Sequence, residues 1–230
     1  MKQNGKNERY IMPDSAVEMY AQHINPNVDL REHFDETVRL VAEAIPDLTG
    51  KEALDLGSGE GRWARYMATA KGAESVVGLD VNIRMLEIAK KRTTEPMINY
   101  TLGELWDMDD SSFDFVNAFM VTQYIQDLKP YLGQLSRVLK DGGEAIIATK
   151  VFTDRSDTAG MSTIRTSNGR AVMAYPHTAQ EYIGEEVTST GLAVSGSVAY
   201  RTPDVSEGAT VEDLIVMYKK QGSEDAALLG

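Results

Sequence analysis

Three acids each follow a short apolar run. Asp55 sits in Ala53-Leu-Asp-Leu56, Asp80 closes Ser75-Val-Val-Gly-Leu-Asp80, and Glu104 follows Ile98-Asn-Tyr-Thr-Leu102 in Gly103-Glu-Leu105. The first run enters three alternating glycines, Gly57, Gly59 and Gly61, with Ser58 and Glu60 between them. A turn of this kind lets a ligand approach bare backbone, because no Cβ stands in the way. A carboxylate at Asp80 can accept both hydroxyls of a ribose, the use made of an acid ~20 residues past such a turn. Glu104 is placed to accept from an adenine amino group, with the Leu105 N–H facing a ring nitrogen. Asp55, under the turn, favours a cationic ligand end. Each acid alone reads most simply as a solvated loop carboxylate. Spaced one per unit after the same turn, they read as one binding edge.

The elements that must position these groups alternate strand and helix. Leu30, Phe34, Val38, Val41 and Ile45 recur at three or four residues and predict a helix capped by Asp29 and ended by Pro46. Strands are predicted at Ala53–Leu56, Ser75–Asp80, Ile98–Leu102, Phe113–Met120 and Glu144–Lys150. Helices follow from Arg62, from Ile83 to Lys91 and from Asp127 to Leu139. Alternation of this kind predicts a doubly wound α/β fold, a parallel sheet with helices on both faces. Past Val151 the pattern changes. Thr153 to Gly169 is polar with little period, and Arg170 to Tyr175 reads as a short strand. Thr178 to Thr190 reads as a helix stopped by Gly191. Leu192–Tyr200 and Asp213–Tyr218 read as two antiparallel strands.

With 230 residues, 42% of them hydrophobic, the chain fits one domain. It divides into a flexible N-terminal segment 1–28, a core 29–150, an insert 151–176, a C-terminal helix and strands 177–220, and a frayed tail 221–230. The absence of cysteine excludes disulfides, thiolate metal sites and cysteine nucleophiles. A net charge of −12, with no basic cluster beyond Lys90-Lys-Arg92, argues against nucleic acid as a partner. No apolar run approaches the ~20 residues that span a bilayer. The N-terminus lacks the apolar core of a signal peptide. A cytoplasmic location and a small-molecule partner are therefore expected; the oligomeric state stays open, and no metal site is expected.

Three readings of the glycine turn compete. It can be a plain tight turn. It can be a dinucleotide site, but the third glycine of G-x-G-x-x-G is replaced by Arg62, and Glu60 stands where a pyrophosphate would arrive. It can be an S-adenosylmethionine site, whose sulfonium and ammonium suit acidic neighbours.

The pieces Leu54-Asp-Leu-Gly-Ser-Gly-Glu-Gly61, Val77-Gly-Leu-Asp80, Gly103-Glu-Leu105, Ser112-Phe-Asp-Phe-Val116 and Leu139-Lys-Asp-Gly-Gly143 occur in one order across about residues 30–150. In this the chain resembles the class I S-adenosylmethionine-dependent methyltransferases. The resemblance implies a seven-stranded, mostly parallel sheet with an antiparallel last strand, and an N-terminal helical lid. It implies that Gly57, Ser58 and Gly59 line the methionine part, that Asp80 with Val81 holds the ribose, and that Gly103, Glu104 and Leu105 hold the adenine. The Phe119 carbonyl would meet the amino group. Glu104 stands where the family commonly has aspartate, one methylene shorter.

The acceptor is a small molecule on this reading, and the methylated atom is O, N or C. Asn117-Ala-Phe-Met120 lacks the Asn/Asp-Pro-Pro-Tyr/Phe run of enzymes that methylate nucleobase amines, and no magnesium site of the catechol type is evident. Candidate catalytic groups are His23, Tyr124 and His177; candidate acceptor contacts are Tyr20, Gln123 and Phe152. Each has an ordinary alternative as a packed or surface residue, and His33 reads as surface. Met120, Met161, Met173 and Tyr175 are further apolar candidates for the acceptor pocket. Two other functions are carried alongside: a non-catalytic S-adenosylmethionine-binding scaffold of the same fold, and an NAD(P)-dependent oxidoreductase.

Overall fold

A computed structural model describes residues 13, 16–17, 29–32, 35–153, 161–165, 171–206 and 209–221. Among them lie nine strands in a single sheet. These are β1 (Glu52–Leu56), β2 (Ser75–Asp80), β3 (Ile98–Leu102), β4 (Phe113–Phe119), β5 (Leu139–Phe152), β6 (Ser162–Arg165), β7 (Ala171–Ala174), β8 (Leu192–Ser206) and β9 (Ala209–Lys220). The helices are α1 (Glu36–Ala44), α2 (Arg62–Thr69), α3 (Ile83–Arg92), α4 (Leu128–Val138) and α5 (Ala179–Ile183). The sheet order is β3-β2-β1-β4-β5-β9-β8-β6-β7.

Pairing is parallel from β3 through β5, and β9 runs antiparallel to both β5 and β8. The first seven strands in the order are the expected seven-stranded sheet, with β9 as its reversed last strand. The β6–β7 hairpin, antiparallel within itself and to β8, lengthens that sheet to nine. Its first strand falls within the polar stretch after Val151, where the sequence showed little period. That strand, Ser162–Arg165, has four residues, too few to show a period.

Period-two alternation divides the core. Ala53, Phe115, Ile146 and Ile215 face one layer with Val41, Trp63, Met67, Leu86 and Ala89 of α1, α2 and α3. Their neighbours Leu54, Val116, Ile147 and Val216 face the other layer, with Leu132 and Leu135 of α4 and Tyr182 of α5. Strands covered on both faces need continuous apolar runs, which explains the compositions of β4 and β5.

Two helix boundaries differ from expectation. The N-cap of α1 is Asp35, whose carboxylate accepts from Thr37 N at 3.0 Å and Val38 N at 3.4 Å. Asp29 instead holds Arg31, through its backbone N at 2.9 Å and its guanidinium at 2.7 Å, ahead of a single 3-10 turn Leu30–Glu32. The helix from Thr178 breaks at Gly184 and continues as a 3-10 helix Glu185–Thr190, stopped by Gly191 in a left-handed conformation. The Lys140–Gly143 turn lies within β5; pairing with β4 jumps from Phe113↔Leu139 to Phe115↔Glu144 and loops it out.

Of the N-terminal segment expected to form a lid, residues 13, 16 and 17 are described. Tyr20, His23 and His33 lie outside the described residues. No described helix is long and apolar enough to cross a membrane.

Candidate active site

Strand order reverses between β1 and β4, so the crevice of an open α/β sheet falls at the carboxyl ends of these two strands. The glycine turn leaves β1 at that point. The Gly57 and Ser58 amides both donate to the Leu79 carbonyl, at 2.7 and 3.0 Å, tying the turn to β2. Gly57 has φ +69°, and a Cβ there would stand 2.2 Å from Val121 Cγ2 at the end of β4. Glycine is the residue that meets both demands. Gly59 has φ +53° and nothing within 4 Å of its Cβ position, so its backbone faces open space. Its amide donates to Asp80 Oδ2 at 2.8 Å, while Asp80 Oδ1 accepts from Asn82 N at 2.8 Å. Burial holds the Asp80 carboxyl above its usual range, against the pull of the Asn82, Gly59 and Val81 amides.

Asp55 is 1% exposed beneath the turn. It faces no open cleft. Its Oδ2 accepts from Ala64 N at 2.9 Å, capping α2, whose N-cap Gly61 has no side chain to do so. Its Oδ1 accepts from Asn117 Nδ2 at 3.2 Å, across the Asp55↔Asn117 register pair of β1 and β4. Burial pushes the Asp55 carboxyl up to about 7, outweighing these two hydrogen bonds.

Three buried polar atoms around the turn have no partner: Ser58 Oγ, Trp63 Nε1 and Asn117 Oδ1. Buried polar atoms are normally paired, and an orphan costs about 1–3 kcal/mol. An open glycine backbone beside orphaned polar atoms is a cradle that fits a polar ligand.

Glu60 is not aimed at that cradle. It is buried between Arg65 (2.8 Å) and Arg92 (3.0 Å), and Arg65 also donates to the Glu60 carbonyl. Contrary to expectation, Glu60 does not present a charge that repels a pyrophosphate, because two guanidinium groups compensate it. Arg62 still replaces the glycine of the dinucleotide pattern.

At the β3 side, Gly103 N donates to the Asp80 carbonyl at 3.1 Å, which brings the Asp80 and Glu104 loops together. Glu104 is half-buried ahead of a 3-10 turn Leu105–Asp107, and its amide donates to Asp107 Oδ2 at 2.8 Å. Leu105 is buried in the core. Val81 (36% exposed), Ile83 (49%), Leu102 (54%) and Trp106 (43%) are apolar yet open to solvent around this end.

At the end of β4, half-buried Phe119 packs on Trp63 with ring centroids 5.1 Å apart. Met120 has φ +56°, a left-handed conformation a side chain rarely adopts, and its amide donates to the Ala148 carbonyl at 2.6 Å. Strain of this sort gathers at functional sites. Tyr124 is half-buried on a 3-10 turn Thr122–Tyr124.

The remaining candidates are turned inward. Gln123 is 2% exposed; its Oε1 accepts from Lys150 N at 3.3 Å and its carbonyl from Tyr175 N at 2.8 Å. Phe152 is buried with Ile164, Ala174 and Val211. His177 Nε2 lies 2.6 Å from the Ile125 carbonyl and Nδ1 lies 3.2 Å from Glu181 Oε1. Both neighbours are acceptors, so both ring nitrogens are occupied. Met161 is half-buried, Tyr175 is buried, and the Met173 side chain lies outside the described residues.

Asn117, Trp63 and a buried Lys150–Asp213 pair were not among the sequence candidates. Lys150 Nζ donates to Asp213 Oδ1 at 2.7 Å, and Thr37 Oγ1 donates to Asp213 Oδ2 at 2.5 Å. The available signal was a polar residue inside an apolar strand, as in Phe113-Asp-Phe-Val-Asn-Ala-Phe119. Among the described residues, no three His, Asp or Glu side chains cluster as a metal site.

Residues 54–147 match the methyltransferase domain family. A phosphoethanolamine N-methyltransferase 2 of Caenorhabditis elegans is 29% identical over 131 residues, covering 54% of this chain and 30% of the relative. A ubiquinone biosynthesis O-methyltransferase of Alkalilimnicola ehrlichii is 32% identical over 114 residues, covering 47% and 45%. The matches thus span less than half the length of these curated relatives. A putative S-adenosylmethionine-dependent methyltransferase from Listeria monocytogenes superposes with TM-score 0.63 at 21% identity, over 80% of this chain and 98% of that one. The [4+2]-cyclase SpnF superposes with TM-score 0.63 at 15% identity, over 86% of each chain. Residues 54–147 thus resemble a methyltransferase domain, and the strand order and superpositions give the chain the fold of the solved S-adenosylmethionine-dependent methyltransferases.

Proposed function

We propose that the chain transfers a methyl group from S-adenosylmethionine to a small-molecule acceptor. The observation that carries this is the open Gly59 backbone at the sheet's switch point, tied directly to the Asp80 carboxylate. On this reading Gly57, Ser58 and Gly59 border the methionine part, and the orphaned Ser58 Oγ is available to it. Asp80 accepts from the ribose with the lone pairs its amide donors leave. Val81, Gly103, Glu104 and Leu105 receive the adenine, and the exposed apolar side chains at the ends of β2 and β3 give it a surface. The Phe119 carbonyl, next to strained Met120, receives the amino group.

When bound, S-adenosylmethionine supplies a methyl carbon already activated by its sulfonium, open to in-line displacement. The protein's part is then chiefly to position the acceptor. We assign acceptor contacts first to Tyr20, His23 and Tyr124. Gln123, Phe152 and His177 come second, since each is buried and engaged. His23 or Tyr124 would take the proton of an alcohol, a phenol or an ammonium; only an amine already present as its free base needs no base before attack.

The names of the relatives favour small acceptors, an amine and a quinone precursor among them. The fold is shared with a protein named as a cyclase, so transfer itself must be read. The test is methyl-labelled S-adenosylmethionine with phosphoethanolamine and a catechol or quinol panel, beside titration calorimetry. Label should pass to a panel member, and Asp80→Ala should weaken cofactor binding by roughly 1.5–3 kcal/mol. Binding without transfer to any acceptor would favour the scaffold reading. Binding of NADPH in place of S-adenosylmethionine would favour the oxidoreductase. Unchanged affinity in Asp80→Ala would remove the ribose assignment.

A further inference from the structure

We propose that Asp55 lets the site tell the charged methyl donor from its neutral product, by ionising when a sulfonium rests on the glycine turn and taking up a proton when none does. The inference rests on the S-adenosylmethionine reading above.

The pair Asp55–Asn117 carries it. Asn117 is fully buried, donates Nδ2–H to Asp55 Oδ1, and leaves its own Oδ1 without a partner. That arrangement suits an ionised Asp55. Rotating the amide by half a turn brings Asn117 Oδ1 against Asp55 Oδ1, which is a bond only if Asp55 holds a proton to donate. The pair therefore has one hydrogen-bonded arrangement for each protonation state.

The surroundings decide between them. From α2 comes the Ala64 amide at 2.9 Å, and from β4 the Asn117 amide. From β2 comes Asp80, and from the turn Glu60; both acids oppose a further negative charge. The nearby cations are engaged elsewhere, Arg65 and Arg92 on Glu60. From β3 comes the Tyr100 hydroxyl, 2.9 Å from Thr93 Oγ1 and 3.5 Å from the Gly61 carbonyl. Burial pushes Asp55 to about 7, so a modest added field moves it across neutral pH. A sulfonium above the turn supplies that field. S-adenosylhomocysteine, which lacks this charge, does not. Asp80 also titrates above its usual range, but it faces the ribose of both ligands, so its effect cancels in their ratio.

The test is calorimetric titration of the full chain with S-adenosylmethionine and S-adenosylhomocysteine between pH 5.5 and 8, in buffers of different protonation enthalpy. Affinity for S-adenosylmethionine should rise on the order of tenfold over this range, as a tenfold change accompanies each pKa step on binding. Proton release should accompany binding near pH 6–7. The S-adenosylhomocysteine affinity should lack this Asp55-linked rise, so the ratio of the two affinities should itself grow on the order of tenfold over the range. Asp55→Asn should flatten the first profile onto the second. If that variant does not fold, wild-type proton release with the two ligands decides alone. Parallel profiles, equal proton release, or a profile unchanged in Asp55→Asn would each overturn the discrimination while leaving the cofactor reading intact. Failure of both ligands to bind at any pH would overturn the cofactor reading, and the discrimination with it.

Discussion

Replacing Asp55 by Asn tests the energetics of the turn without any ligand. The substitution keeps an oxygen for the Ala64 amide and removes the ionisation. Burial raises the carboxyl from 3.8 to about 7, so its folded pKa lies above its unfolded one. The folded state then binds more protons than the unfolded state between these values, and wild-type stability carries a penalty that grows as pH rises through this window. At about 1.4 kcal/mol per tenfold step, the full penalty is on the order of 4 kcal/mol above pH 7. Asp114 and Asp29, both held below the usual range, tilt stability the other way, but they do so equally in both proteins. The measurement is urea unfolding of wild type and Asp55→Asn at steps from pH 4.5 to 8.5. The variant should gain on wild type up to about pH 7, and the gap should then level. A gap that changes by less than about 1 kcal/mol across the range would show that Asp55 is ionised throughout, and the reasoning from burial would fail.

Other expectations concern the two strand ends. Gly57→Ala should cost about 3 kcal/mol of stability, from left-handed backbone and from overpacking against Val121. Adding Val121→Ala should recover about 1 kcal/mol or more in the same urea assay; an additive double variant would contradict the contact. Met120→Gly should be more stable than Met120→Ala by about 1 kcal/mol, the reverse of the usual order, because φ +56° is free only to glycine. The usual order in thermal unfolding would mean that Met120 is not strained. His177→Gln should lower stability by about 1–3 kcal/mol through its lost pairing and leave S-adenosylmethionine affinity unchanged. A shift in affinity by calorimetry, with stability kept, would return His177 to the ligand's side.

Legibility in the sequence followed the range of the interaction. Alternation, glycine spacing and the acids at strand ends are local, and each of β1 to β5 begins or ends within a few residues of its expected place. The 3-10 break at Gly184 was hidden because helical periodicity continues through Glu185–Thr190 while the backbone does not. The β6–β7 hairpin was partly hidden because the four residues of β6 are too few to show a period. At the site, the turn and Asp80 were readable as a unit, but the orientation of Glu60 was not. Its charge looked ligand-facing until Arg92, 32 positions away, was found to hold it. Asn117 was read only as a departure from a nucleobase-amine motif. Its physical place, opposite Asp55, depends on parallel pairing between β1 and β4, which are separated by two helices and two strands. Such register is a long-range fact. A buried amide in an apolar strand is therefore the sequence signal to pursue, because burying it without a partner is costly enough to demand a reason. Here the neighbouring carboxylate supplies one half of that reason, and Asn117's orphaned oxygen leaves the other half to a change in protonation.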